Sequence, residues 1–293
     1  SLNDGISGDN NFYNAGIWFN KRGLEWNASI KNVGKNYITV VGFTPRLYNY
    51  DAINDLVVRE GYTQTTVGVE YQKFYQQSKT INSVRFLNYN NDTYFDDSGV
   101  MSQSSHFLNS AVFFKNLSSV YYVYKYDIID LKCGFNPLSE GNALVPNKYR
   151  FGILKVGYNS ANNQKFRYRF NLQNGSYYNG KRFTAGAYVN YQLLPFASFE
   201  ASYDINEIDL NELGKETFHL ARFTKEIFFN NRLNWTTYVQ YNTQRNNFNI
   251  NSRLQWEYKP LSYVYFVITD NFNKDIHRKD WGIAFKMNYR LDF

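Results

Sequence analysis

The residues of this chain best suited to move a proton near neutral pH are three histidines. They are His106 in QSSHF, His219 in TFHLA and His277 in NKDIHRKD. A hydrolase built on any of them needs a serine or acidic partner within reach and a third group that orients the ring. No G-x-S-x-G or H-E-x-x-H run accompanies them. His106 and His219 fall in segments with the alternation of strands, so both read as ordinary strand residues. No catalytic residue is expected, and the chain is read as a non-enzyme.

Other chemistry is equally thin. The acidic run Asn91 to Gly99, NDTYFDDSG, offers oxygen ligands to a hard cation but lacks the EF-hand spacing and its glutamate, and reads as a solvated loop. One cysteine, Cys133, allows neither an internal disulfide nor a cysteine metal site. Gly134, Gly141 and Gly175 read as turn formers, because no helix follows them to make a phosphate cradle. No metal and no cofactor is expected. The one cluster with a chemical preference is cationic. Lys165, Arg167 and Arg169, with Arg182 on the next strand, form a patch that favours anionic solutes unless Glu200 or Glu257 balances it.

The elements that position these residues follow from composition and periodicity. The 293 residues include Tyr 27, Phe 25 and Trp 5, yet mean hydropathy is −0.55. The longest apolar runs, such as Val120 to Tyr124, are far below the roughly 18 residues that a spanning helix needs. So many aromatic and β-branched residues also argue against intrinsic disorder. The net charge of +7 and pI near 9.1 suit an anionic partner, but the cations are dispersed and no nucleic-acid-binding pattern focuses them. No nucleic-acid partner is expected.

Alternation with period two dominates. In Asn247 to Tyr258, Phe248, Ile250, Leu254 and Trp256 share one face while Asn249, Asn251, Arg253, Gln255 and Glu257 share the other. The same pattern recurs at Leu233 to Tyr241, Arg182 to Tyr191, Lys165 to Leu172 and Ile283 to Phe293. It predicts about sixteen strands, near 11–22, 23–32, 36–44, 62–76, 79–89, 102–115, 117–127, 149–159, 163–174, 178–192, 196–205, 216–227, 231–242, 247–258, 261–271 and 281–293. Tight links at 32–36, 77–79, 115–118, 160–163, 194–195, 230–231 and 259–261 share one side. Longer ones at 45–62, 90–101, 131–148, 205–215 and 271–280 intervene, as in outer-membrane barrels, and the count places both termini in the periplasm.

A soluble β-sandwich would turn the apolar faces inward, but long strands and asymmetric loops fit a barrel better, with lipid on the apolar face and a lumen on the polar one. The fold expected is therefore all-β, a single antiparallel transmembrane β-barrel spanning residues 1–293 with no separate soluble domain, in the bacterial outer membrane. Lumen-lining candidates are Lys165, Arg167, Arg169, Arg182, Glu200, Arg253, Glu257, Lys286 and Arg290. Tyr122, Tyr124, Tyr241, Trp256, Tyr258, Tyr263 and Tyr289 suit an interfacial aromatic girdle. The terminal KMNYRLDF, with Tyr289, Leu291 and Phe293 alternating, is similar to the signal by which barrels are handed to the assembly machinery.

Several stretches resemble a Bacteroidota outer-membrane family of unknown function whose barrel domain usually follows a carbohydrate-binding family 9-like module. The resemblance is strongest at Trp235 to Phe272, WTTYVQYNTQRNNFNINSRLQWEYKPLSYVYFVITDNF, with weaker echoes in Val41 to Arg46, VGFTPR, and Asn174 to Lys181, NGSYYNGK. This sequence lacks the binding-like module. The family has no established catalytic residues. The reading implies a pore or transport channel for small hydrophilic solutes. The alternative is a scaffold that anchors an outer-membrane protein partner or a larger complex. Expected partners are outer-membrane lipid, the barrel-assembly machinery through the C-terminal strand, and other outer-membrane proteins.

Overall fold

The protein is described from a computed structural model over residues 8–39, 44–138, 142–273 and 278–291. Its strands are β1 (Phe12–Lys21), β2 (Leu24–Val33), β3 (Tyr48–Asp51), β4 (Leu56–Arg59), β5 (Tyr62–Phe74), β6 (Ile81–Phe95), β7 (Met101–Phe114), β8 (Ser119–Leu131), β9 (Asn147–Asn159), β10 (Phe166–Tyr177), β11 (Gly180–Leu193), β12 (Ala197–Asp209), β13 (Lys215–Asn230), β14 (Leu233–Asn242), β15 (Asn247–Lys259), β16 (Ser262–Asn273) and β17 (Arg278–Met287). Single 3-10 turns at Asn211–Leu213 and Thr243–Arg245 are the helical elements among the described residues.

Fifteen strands form one antiparallel sheet in chain order, β1-β2-β5-β6 and onward to β17, while β3 and β4 pair only with each other. The sheet is not closed: β1 and β17 are its edges. The expected strand at 36–44 is not seen at its described residues. Asn36 to Thr39 have no strand structure, and 40–43 lie outside the described residues. Tyr37 instead stacks on Phe12 at 5.3 Å, and its carbonyl accepts from Arg59 Nη2 at 2.6 Å. The tight link expected at 32–36 is therefore the start of a long excursion, 34–61, that carries the β3–β4 hairpin. Two brief connections, 178–179 and 243–246, also fall on the long-loop side.

By backbone contacts the chain divides into two compact units. The first is Ser1–Val156 with Gln173–Arg182 and Ile208–Glu216, and the second is Gly157–Leu172, Phe183–Glu207 and Thr217–Phe293. In the first, register places Ile17 opposite Ala28, which faces Val67 on β5, and Phe19 opposite Trp26, which faces Val69. The intervening positions put Glu25 opposite Glu70 and Glu70 opposite Asn88. In the second, Leu233, Trp256, Val264 and Met287 form one row, and Trp235, Leu254, Phe266 and Phe285 the next. Tyr241, Phe248 and Phe272 form a third on the same face. The alternate face carries Gln240, Asn249, Asn271 and Asp280. The alternation read from the sequence is the alternation of the sheet.

The apolar rows are exposed: Ile17, Phe166, Phe170, Trp256, Ile283 and Phe285 all leave their side chains uncovered. Buried apolar residues are few; one cluster is Val33, Leu47 and Tyr62, with Tyr37 and Tyr94 against it. Backbone approach is close between β9 and β10. A Cβ on Gly175 would lie 2.2 Å from the Gly152 carbonyl oxygen, and Ser176 Oγ accepts from Gly152 N–H at 2.8 Å. Only glycine fits there. Gly175→Val is expected to part β9 from β10 and lower the urea midpoint by the equivalent of about 1–3 kcal/mol, whereas Ser176→Ala removes one hydrogen bond and costs about 1 kcal/mol; equilibrium unfolding followed by tryptophan fluorescence measures both.

Candidate functional site

The polar side of the sheet concentrates the charged chemistry. In the second unit, Arg167 and Arg169 sit two residues apart on β10 and so share a face. Arg167 Nη2 and Nε donate to Asn190 Oδ1 at 2.6 and 3.2 Å. The Arg169 guanidinium lies over the Tyr188 ring at 3.9 Å, and the Tyr188 hydroxyl donates to Glu200 Oε2 at 2.7 Å. Stacking and amide hydrogen bonds hold the two guanidinium planes without neutralising them. Neither has a carboxylate within ion-pair distance among the described residues. Glu200 is engaged by a phenol rather than by a cation. A cavity of about 240 Å³ beside them is lined by Asn159, Ser160, Asn162, Arg167, Tyr168, Arg169 and Tyr188.

The other candidates are dispersed. Lys165 is exposed in the turn before β10, where its carbonyl accepts from Gln192 N–H. Arg182 lies at the start of β11 with its guanidinium 5.4 Å from the Tyr177 ring, and does not join Arg167 and Arg169. Arg253 and Lys286 have the expected face by register, opposite Thr236 and Tyr265. Glu257 is recruited locally: its Oε1 accepts from Leu261 N–H at 2.9 Å and fixes the β15–β16 turn. Arg290 follows β17, and its N–H donates to Ser262 Oγ. Tyr289 and Leu291 also follow the last strand, which ends at Met287. Phe293 and His277 lie outside the described residues.

The first unit supplies polar residues that sequence reasoning missed. Arg85 on β6 pairs with Glu70 at 3.2 Å and donates to Asn109 at 3.1 Å, while Asn88 donates to Glu70 at 2.6 Å. Asp92 accepts from Gln64 and Thr66, and Asp127 accepts from Ser105 and pairs with Lys125 at 3.0 Å. Alternation alone flags these residues as polar. Their partnerships depend on strand register, including the slip between Arg85 and Asn88 on the β6–β7 pair.

Two long connections pack over this polar side. The Arg46 guanidinium lies 3.9 Å from the centre of the Tyr94 ring, and burial pulls its pKa below the ordinary value. A cavity of about 260 Å³ is bordered by Arg46, Glu60, Asp96, Asp130, Lys132 and Tyr178, among others. Lys132 pairs with Asp130 at 2.9 Å and Asp96 at 3.8 Å, and its ammonium is held up chiefly by the Asp130 hydrogen bond. Burial pushes the Cys133 thiol up, the opposite of a reactive thiolate.

One carboxylate ties the two connections together. Asp51 accepts from Asn54 Nδ2 at 2.7 Å, from Ile53 N–H at 3.0 Å and from Gly134 N–H at 3.0 Å. Ala52 N–H donates to the Gly134 carbonyl at 2.8 Å, and a Cβ on Gly134 would meet Ile53 Cγ1 at 2.4 Å. The Asn54 hydrogen bond, followed by the backbone donors, holds the Asp51 carboxyl below its usual 3.8. A depressed carboxyl contributes stability that is complete above that usual value and is lost as pH falls through the lower folded one. Asp51→Ala is expected to raise the rate of tryptic cleavage after Arg46 and Lys132 several-fold at pH 7. Wild-type protein should show the matching loss of protection against pepsin only as the pH drops well below 3.8.

The acidic run 91–99 divides between strand and turn. Asn91 to Phe95 lie in β6, and Asp96 accepts from Ser98 and Val100 in the turn that follows. Among the described residues no group of three or more metal-ligating side chains converges. His219 accepts or donates one hydrogen bond at Nδ1 with the Tyr203 hydroxyl, 2.7 Å away. Compared with protein families, with curated proteins and with solved structures, the chain finds no match in any of the three.

Proposed function

We propose that the chain is an outer-membrane β-barrel that forms a pore for small hydrophilic solutes. On this reading the apolar face meets hydrocarbon and the polar face lines water. The observation that carries it is the uncovered apolar face. Its side chains stay exposed across strand after strand, far more than a water-soluble sheet tolerates.

Spacing supports the same reading. The Phe248 and Trp256 rows are eight residues apart, about 26 Å along a strand and about 20 Å along the normal at the ~40° tilt of outer-membrane strands. With the rings added, that matches an apolar band about 25 Å tall flanked by aromatics. One polar interruption on that face is paired: Ser252 Oγ accepts from Trp235 Nε1 at 2.8 Å and contacts Thr237 Oγ1 at 3.1 Å.

The partners follow from the location: lipid around the barrel, and the assembly machinery at the C-terminal strand and the residues after it, including Tyr289 and Leu291. The resemblance read at Trp235 to Phe272 implies the same location, while no family model matches the chain. The packing of the connections at 44–61 and 132–138 favours a second reading, in which the mouth is narrow and the barrel serves as a scaffold for another outer-membrane protein.

Purified protein in planar bilayers distinguishes these readings. Discrete conductance steps are expected, and Arg167→Glu with Arg169→Glu should move selectivity from anions toward cations. Protein that shows heat-modifiable electrophoretic mobility yet passes no current overturns the pore and leaves the scaffold. A second prediction concerns the apolar face. Ile268→Arg, midway between the Phe248 and Trp256 rows, should cost about 2–4 kcal/mol in a lipid-exposed position, measured by reversible folding into vesicles. A cost near zero means that this face meets water.

A further inference from the structure

On the apolar face near the loop end of β6 and β7, the structure gathers groups that the pore does not use. Ser104 and His106 are two residues apart on β7 and project to the same side. Register sets Thr93 opposite Ser104 and Asn91 opposite His106. Ser104 Oγ lies 3.3 Å from His106 Nε2, and the Tyr89 hydroxyl lies 2.9 Å from His106 Nδ1. Asn91 Nδ2 donates to Ser104 Oγ at 3.1 Å and sits 3.4 Å from His106 Nδ1. The Thr93 and Ser104 hydroxyls are 2.9 Å apart. A nucleophile, a base and an orienting group are thus in sequence. The serine-to-histidine separation is only slightly longer than that of a working pair, as is usual before substrate binds.

The surroundings select the substrate. Beside His106 an open recess of about 450 Å³ is lined by Tyr89, His106, Leu108, Tyr124 and Tyr126, four of them aromatic or aliphatic. Ser104 is itself 5% exposed, so an ester reaches it only when side chains around it move while His106 stays in place. The pair is three and five residues from the loop end of β7, about 10–17 Å along the strand. In a membrane-spanning barrel that depth is the upper edge of the hydrocarbon band, where the ester carbonyls of lipids lie.

We propose that Ser104 and His106 are the nucleophile and general base of an acyl hydrolase acting on the ester bonds of membrane lipids, a reading that rests on the membrane orientation given above. Ser104 Oγ attacks the ester carbonyl carbon while His106 Nε2 takes the hydroxyl proton, and Tyr89 accepts from Nδ1–H to hold the ring. The carbonyl electron pair goes to oxygen, where the hydroxyl of Thr93, turned from Asn91 Oδ1 at 3.0 Å, donates. Collapse breaks the ester C–O bond, the leaving alkoxide takes the proton from His106, and an acyl-serine remains. Water then gives its proton to His106, attacks the acyl carbon, and releases the fatty acid, returning Ser104 to its hydroxyl.

The test uses full-length protein folded in detergent, with heat-modifiable mobility as the check on folding, and a fluorophosphonate probe followed by peptide mapping. Labelling is expected at Ser104, absent in Ser104→Ala and unchanged in Ser110→Ala. His106→Asn should slow labelling, and fatty-acid release from phosphatidylethanolamine vesicles, at least a hundredfold. Tyr89→Phe should displace the pH profile of the rate. Folded, heat-modifiable wild-type protein that neither labels nor releases fatty acid overturns the hydrolase and leaves the barrel standing. Labelling of a protein that stays dispersed without detergent keeps the reactive serine and overturns both the lipid substrate and the membrane orientation.

Discussion

The main-chain ladder between sequential strands is the constraint on which everything else depends. Between the two edge strands, main-chain N–H and C=O groups are satisfied by neighbouring strands, so the side chains need not build a core. They are free to divide by chemistry: one face keeps carboxylates, guanidinium groups and amides, while the other keeps Trp, Phe, Ile and Val. A one-residue slip in any pair would exchange the faces along a whole strand. The irregularities that do occur are local. Those at Tyr71/Gln72, Ile81/Ser83, Arg85/Asn88, Phe228/Asn230 and Glu257/Lys259 fall toward the short-turn ends and that at Tyr94/Phe95 at the loop end of β6, so all lie toward strand ends, where re-aiming a side chain disturbs least of the ladder.

Polar residues on such a sheet do two kinds of work. Arg85, Glu70, Asn88 and Asn109 neutralise and orient one another, and they stiffen the surface on which they lie. Arg167 and Arg169 are held by an amide and a ring, which restrict their motion but leave their charge in the field. The second arrangement suits attraction of anions, because a fixed uncompensated charge acts at a distance while a paired one largely cancels.

Much of this was legible in the sequence because the side-chain period of a strand is short and strict. The segment Asn247 to Tyr258 coincides with β15 to within one residue, and the shared face of Arg167 and Arg169 follows from their spacing alone. At Asn36 to Thr39 the strand expectation rested on β-branched Ile38 and Thr39, whose intrinsic preference was overridden by packing of Tyr37 on Phe12 and by the Arg59 hydrogen bond. The β3–β4 hairpin escaped notice because four-residue strands carry too few alternations to register. Ser104 and His106 were visible as neighbours, but Tyr89 and Asn91 become their partners only through a register that includes a slipped pair. The union of Asp51 with Gly134 spans 83 positions and no local pattern encodes it.

Because every strand of the large sheet joins the one before it, nearly all of its pairings are close in sequence. Contacts of that kind demand little loop-closure entropy, so a nascent chain could zip up hairpin by hairpin without waiting for distant segments to meet. The same meander makes the hairpin the natural unit of gene duplication and loss: a pair of strands inserted or removed would preserve both the facial division and the direction of every remaining strand.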